Sequence, residues 1–236
     1  MTALPPRLIR AMNRFNAAHP WDHNAHYHGW LIRQLPRRPL GRALDVGCGS
    51  GDLVRLLASR PGAVEVHGID SDARIIEQAE RAEQAEEAGP GGRTVYSVAD
   101  APHRLPAGPH DLITCLAVLH HLPFADSLTR FREELAPGGT LVVVGCARED
   151  APLDQLLSHL SLPLNLLVGW AKNRGRADTA PGQTRPVSMT AATRAPEMTF
   201  AQIAAGARRI LPGARLRRRL FWRYTLVWRA PVAEAG

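Results

Sequence analysis

Cysteine is scarce in this 236-residue sequence: Cys48, Cys115 and Cys146 stand far apart, and no C-x-x-C pair occurs. An odd, scattered set does not suit a secreted disulfide framework and offers no zinc knuckle, so a reducing, cytoplasmic compartment is expected. Long hydrophobic runs are also missing. No stretch approaches the roughly eighteen apolar residues of a membrane-spanning helix, and the N-terminal MTALPPRLIRAMN lacks the continuous apolar core of a signal peptide. Lysine is nearly absent, with Lys172 alone, so the formal charge of +7 rests on arginine. Arginine amid abundant alanine, glycine and proline reflects coding bias as readily as anionic partners, and the charge alone establishes no nucleic-acid binding.

What remains is ordinary for a globular chain: 45% apolar and 22% charged residues, enough for one full-sized domain with appendages. No internal repeat is visible. From Gly41 the pattern alternates between strand and helix up to about residue 147. An apolar run at Ala43-Leu44-Asp45-Val46 precedes a glycine turn, and Leu53, Leu56 and Leu57 then take helical spacing. Further strands are predicted at Val64–Ile69, Thr94–Val98, Asp111–Ala117 and Thr140–Gly145. A helix is expected from Asp72 to Ala88, stopped by Gly89-Pro90-Gly91-Gly92, and another over Asp126–Leu135, with Asp126 as N-cap and Pro137-Gly138-Gly139 as the turn into strand five. This alternation predicts an α/β fold with a parallel, doubly wound, Rossmann-like sheet.

Beyond Cys146 the character changes. Residues 152–171 are apolar but interrupted by Pro163, which predicts one or two short lid helices. Residues 173–197 are rich in Pro, Thr, Ala and Arg without periodicity and read as a mobile loop. Thr199 and Gln202 form a capping-box pattern opening a helix that ends near Pro212-Gly213. Two strands, Arg215–Leu220 and Tyr224–Arg229, are expected to close the sheet as a hairpin.

The strongest chemical signal is the stretch LDVGCGSGDL, between a strand and a helix. Closely spaced glycines let backbone approach a ligand, and a helix N-terminus offers unpaired N–H groups to an anion. The glycines fall at Gly47, Gly49 and Gly51, while the last glycine of a dinucleotide fingerprint is replaced by Asp52, which weighs against a nicotinamide cofactor. Asp70 ends the second strand, where an acid can accept hydrogen bonds from both hydroxyls of a ribose.

Five segments in this order, LDVGCGSG, HGIDSD, SVADAPHRLP, DLITCLAVLHHL and LAPGGTLVVV, make residues 41–147 resemble the class I S-adenosylmethionine-dependent methyltransferases, especially the bacterial small-molecule group. The resemblance implies a seven-stranded sheet with its last strand antiparallel, an N-terminal helical lid over residues 1–40, a methyltransferase domain over 41–236, and a cap inserted at about 149–198. It implies S-adenosyl-L-methionine as cofactor, leaving as S-adenosyl-L-homocysteine. Gly47, Gly49 and Gly51 would face its methionine part, Asp70 and the adjoining Ser71 the ribose, Asp100 and Ala101 the adenine, and Leu116 and Ala117 would line it through backbone. Asp45 would also belong to the cofactor site; it and Asp100 retain a second reading as turn or cap residues.

Methyl transfer asks mainly for alignment, exclusion of water and sometimes removal of one proton. His120 and His121, after strand four, are the candidate bases; each is equally readable as a cap or packing residue beside Pro123. The segment HPWDHNAHYHGW, residues 19–30, holds four histidines. With Asp22 as helix cap, His23, His26, Tyr27 and Trp30 share one face and His28 points elsewhere. A lid that contributes His23, His26 or Tyr27 to the reaction, and Tyr27 and Trp30 to the substrate wall, is the leading functional reading. An aromatic cover that only packs is the plain one, and H-x-x-H-x-H lacks a standard zinc spacing, so no metal is expected.

In the 152–171 segment, Leu156, Leu160, Leu164, Leu167 and Trp170 are expected to wall an apolar or aromatic acceptor, with a membrane-surface or dimer patch as the alternative. The reading that results is a cytoplasmic enzyme methylating a small molecule, in specialised metabolism. A nucleic-acid methyltransferase is the first rival, on Arg208, Arg209, Arg215, Arg217, Arg218, Arg219 and Arg223 interleaved with Phe221, Trp222 and Tyr224. Against it, strand four is not followed by the Asn/Asp-Pro-Pro-Tyr/Phe signature of enzymes acting on base amines. The second rival binds the cofactor without transferring its methyl group, and a nicotinamide oxidoreductase comes last.

Overall fold

The computed structural model describes residues 6–19, 21–35, 39–85, 91–174 and 194–232. Two helices, α1 (Pro6–Ala18) and α2 (His23–Ile32), precede β1 (Gly41–Val46), α3 (Asp52–Ala58), β2 (Ala63–Asp70), α4 (Ala73–Ala85) and β3 (Arg93–Val98). Then come β4 (His110–Leu116), α5 (Phe124–Glu134), β5 (Leu135–Gly145), α6 (Pro152–Asn173), α7 (Phe200–Ile210), β6 (Arg215–Arg219) and β7 (Arg223–Arg229). The seven strands form one sheet in the order β3-β2-β1-β4-β5-β7-β6. β1 to β5 pair in parallel, whereas β7 runs antiparallel to both β5 and β6.

Both faces of this sheet are covered, which is why its central strands read as continuous apolar runs. On one face Leu44, Ile113, Cys115 and Leu141 pack with Leu128 and Phe131 of α5 and with Ile203 and Ala207 of α7. On the other, Ala43, Leu112 and Val142 pack with Tyr27 and Leu31 of α2 and with Leu53 and Leu57 of α3. The chain order reverses at β1, between β2 and β4, and there the carboxyl ends of the strands open the crevice in which such sheets bind ligands.

Local chemistry sets the helix starts. Asp22 caps α2, its carboxylate accepting from the N–H of Asn24 at 2.7 Å, and at α7 Thr199 and Gln202 satisfy each other's backbone N–H groups in a capping box. Three expectations need correction. Asp126 is not the cap of α5; Pro123 holds that position and Asp126 lies in the first turn, where its charge still complements the exposed N–H groups. Strand five begins at Leu135, so Pro137-Gly138-Gly139 lie within it: Gly138 turns through φ +71 while its N–H and the Gly139 carbonyl bond to the Pro231–Ala230 backbone. Residues 152–173, expected as one or two short helices, form a single helix of 22 residues. Pro163 is on its exposed side, away from the core. Of the segment expected to be a loop, residues 175–193 lie outside the described residues, as do 86–88 of the expected second helix.

Candidate active site

Gly47, Gly49 and Gly51 all have positive φ, at 73, 54 and 79, so the turn after β1 winds through conformations that side-chain-bearing residues rarely adopt. There is no spare room either: a Cβ on Gly47 would meet Val118 Cγ2 at 2.1 Å. The turn is tied to the end of β2, because Gly47 and Cys48 donate to the Ile69 carbonyl and Gly49 donates to Asp70 Oδ2 at 3.3 Å. The other oxygen of Asp70 accepts the N–H of Asp72 at 3.1 Å. A carboxylate accepts about four hydrogen bonds, so Asp70 keeps capacity for two hydroxyl donors at the crevice.

Beneath the turn lies Asp45, almost fully buried, with Thr114 Oγ1 donating to its Oδ1 at 2.6 Å. Burial pushes the carboxyl up to about 7, the Thr114 hydrogen bond opposes this, and the nearby Asp70 charge raises it further. Asp45 therefore holds the floor of the turn as a group whose charge is expensive. Asp100 is exposed after β3, and Ala101 is buried beside it; Ser71 is exposed after β2. At the end of β4, Leu116 is buried and Ala117 has φ +58, with its N–H donating to Val144. A non-glycine residue held in that region at a crevice is local strain imposed by the surrounding strands.

From Ala117 the chain enters a short 3-10 turn, Leu119–His121, bordering a cavity of about 390 Å³. Its lining includes His120, His121, Phe124, Cys146, Met198 and Tyr224. The two imidazoles lie 4.0 Å apart, and His120 Nδ1 is buried without a hydrogen-bond partner among the described residues. Burial, aided by His121 and Arg223, pulls His120 down to about 4, so it is neutral near pH 7. Burial lowers His121 as well.

A cover of three elements joins beside this cavity. Trp21 Nε1–H donates to Asn165 Oδ1 at 2.9 Å, His23 Nε2 lies 2.8 Å from the same oxygen, and Asn165 Nδ2 donates to Asn16. The hairpin between β6 and β7 is fixed to α6 through Phe221 N–H to Ser161 Oγ and Trp222 Nε1–H to Ser158 Oγ, both at 2.8 Å. These bonds hold Phe221 and Trp222 at φ 58 and 59, a conformation costly for large side chains. Tyr27 Oη–H donates to the Leu220 carbonyl at 2.7 Å, and burial pushes its hydroxyl up to about 12. His26 is exposed, and Trp30 carries the Arg219 guanidinium over its ring.

The wall expected from α6 is turned the other way. Leu156, Leu160, Leu167 and Trp170 are exposed, while Ser161, Asn165 and Gly169 face inward; Leu164 is half-buried. Small residues occupy the inner side because the helix sits close to the N-terminal segment: a Cβ on Gly169 would lie 2.9 Å from the His19 carbonyl. The arginine–aromatic stripe also dissolves, since Phe221 and Tyr224 are buried and Arg218 is paired with Asp154.

The profile of the "Methyltransferase domain" family matches residues 43–139. An uncharacterized methyltransferase of Mycobacterium tuberculosis is 32% identical over 229 residues, covering 90% of this chain and 98% of that protein. The chain belongs to the class I S-adenosylmethionine-dependent methyltransferases. Trans-aconitate 2-methyltransferase of Streptomyces avermitilis is 35% identical over 146 residues, 59% of this chain and 52% of that one, so the chain spans about half the length of that relative. The N-methyltransferase NodS of Bradyrhizobium japonicum, solved with S-adenosyl-L-homocysteine, shares the fold at TM-score 0.54 and 18% identity, covering 94% of this chain and 97% of that one.

In this methyltransferase the residues present suit the family's cofactor. The left-handed glycine turn admits close approach, and Asp70 has free acceptor capacity beside it. Sequence reasoning passed over Thr114 under Asp45, the Ser158–Ser161–Asn165 row of α6, and Cys146. Arg223 it counted as one arginine in the arginine–aromatic stripe. Only its place opposite Cys146, at the start of an antiparallel last strand, could have singled it out.

Proposed function

We propose that this methyltransferase transfers a methyl group to a small-molecule acceptor held in the cavity beyond β4 and β5. One observation carries the reading: the strand end expected to line the cofactor, Leu116–Ala117, runs directly into Leu119–His121 of a chamber of about 390 Å³. That volume suits a small ligand, and Leu119, Leu122, Phe124, Met198 and Ile203 offer it an apolar wall. Relatives named for trans-aconitate, itself a small molecule, support the same class.

When bound, S-adenosylmethionine supplies a methyl group already activated on a sulfonium. The chain supplies the rest. Gly47, Gly49 and Gly51 give backbone access, Asp70 orients hydroxyls, and α2, α6 and the β6–β7 hairpin exclude water. Neutral His120, its Nδ1 free, takes a hydrogen bond or a proton from the acceptor. Tyr27 and His23 hold the cover shut, because their polar atoms are bonded to Leu220 and Asn165. A nucleic-acid substrate is disfavoured because two of the three aromatics among the arginines, Phe221 and Tyr224, are buried away from any base, and Trp222, the exposed one, is bonded to Ser158.

The test is S-adenosylhomocysteine formation in the presence of a panel of small acids, phenols and amines, with RNA as a separate arm. Product with a small molecule supports the proposal. Product with RNA alone would replace it.

A further inference from the structure

Four arginines surround the covered crevice, and three have answers in the fold. Arg218 pairs with Asp154 at 2.5 Å and lies over the Phe200 ring; Arg194 pairs with Glu197; Arg219 lies over Trp30 and donates to Thr225 Oγ1 at 3.2 Å. Arg223 does not. Among the described residues no carboxylate lies within ion-pair distance of it, and its buried Nε–H has no acceptor. Among the described residues its one side-chain hydrogen bond is from Nη1 to Cys146 Sγ at 3.2 Å, a thiol that burial pushes up and therefore keeps neutral.

Position makes this mismatch informative. Arg223 opens β7 next to the Tyr224–Gly145 pair, at the carboxyl edge of the sheet. Cys146, which it touches, lines the large cavity, and Arg223 itself lines a smaller adjoining one with Glu149, Asp154 and Tyr224. Its charge acts on His120 and on His23 and Tyr27 of the cover. A half-buried guanidinium without a counter-ion is left with unanswered donors, and its planar fork of N–H groups matches a carboxylate.

We infer that Arg223 anchors a carboxylate of the acceptor, so that the substrates of this methyltransferase are carboxylic acids with an apolar body. The inference rests on the small-molecule methyltransferase reading and adds the chemical class to it. The anion occupies the Cys146 side of the guanidinium, completing its charge, while the rest of the molecule lies along Leu119, Phe124 and Met198.

The experiment is calorimetric titration of trans-aconitate, citrate, benzoate, cinnamate, benzamide and inorganic phosphate, each with and without S-adenosylhomocysteine, into the wild type, Arg223→Gln and Arg223→Lys. At least one carboxylate should bind the wild type, and Arg223→Gln should weaken it tenfold or more, with Arg223→Lys in between and S-adenosylhomocysteine affinity within twofold throughout. Neutral benzamide should show no dependence on Arg223. No carboxylate binding, carboxylate binding indifferent to Arg223→Gln, or a preference for phosphate would each overturn the inference. Carboxylate binding that needs Arg223 in a protein that ignores S-adenosylhomocysteine would instead uphold the anchor and overturn the methyltransferase reading beneath it.

Discussion

The backbone N–H of Gly49 donates to Asp70 Oδ2 at 3.3 Å, joining the glycine turn after β1 to the acid that ends β2. One side chain thus sets the shape of the turn and offers acceptors at its mouth. Asp70→Ala should weaken S-adenosylhomocysteine binding by about 1–3 kcal/mol, through the lost hydroxyl bonds and the loosened Gly49. Calorimetry decides it, and an unchanged affinity would remove Asp70 from the cofactor site.

Asp45 makes stability depend on pH. Its folded carboxyl is raised from an ordinary value of 3.8 to about 7, so the stability it contributes is complete below about pH 4 and is lost as pH rises through 7. Full ionisation costs on the order of 4 kcal/mol by linkage. Asp45→Asn, which keeps the shape and cannot ionise, should flatten the decline between pH 4 and 7 and be the more stable protein at pH 8. Urea unfolding across that range provides the check, and a parallel decline in both proteins would show that Asp45 is charged in the fold.

His120 gives an opposite pH signature. Held down to about 4 by burial, it is neutral from pH 6 to 8, and kcat/KM should be flat there on its account and fall below about pH 5. His120→Ala should lower turnover roughly tenfold to a hundredfold with cofactor affinity unchanged, while exposed His121→Ala should change little. Equal turnover in all three proteins would leave alignment as the whole of the chain's contribution.

Asn165 joins three helices, receiving Trp21 and His23 and donating to Asn16. Asn165→Ala leaves the buried Trp21 donor and the half-buried His23 donor unanswered and should cost about 1–3 kcal/mol. Amide exchange over His23–Ile32 should quicken more than over β4 or β5. Uniform quickening would mean that the cover and the sheet open as one unit.

The parts legible in the sequence are those decided within a few residues. Positive φ at Gly47, Gly49 and Gly51 demands glycine, Thr199 and Gln202 cap their own helix, and the central strands β1, β4 and β5 are buried on both faces and so read as apolar runs. What stayed hidden is decided by distant partners. The inner side of α6 is set by Trp21, His23 and Phe221, which meet Asn165 and Ser161 from other parts of the chain, so its leucines misled and its serines carried the information. Arg218 and Arg223 read alike in the sequence, yet one has Asp154 and the other only a thiol.

The most direct test of the account is calorimetric titration of S-adenosylmethionine and S-adenosylhomocysteine into the purified protein with a chelator present. The account predicts that both bind, one per chain, and that Asp70→Ala weakens both together. Failure of both to bind the wild type would contradict it.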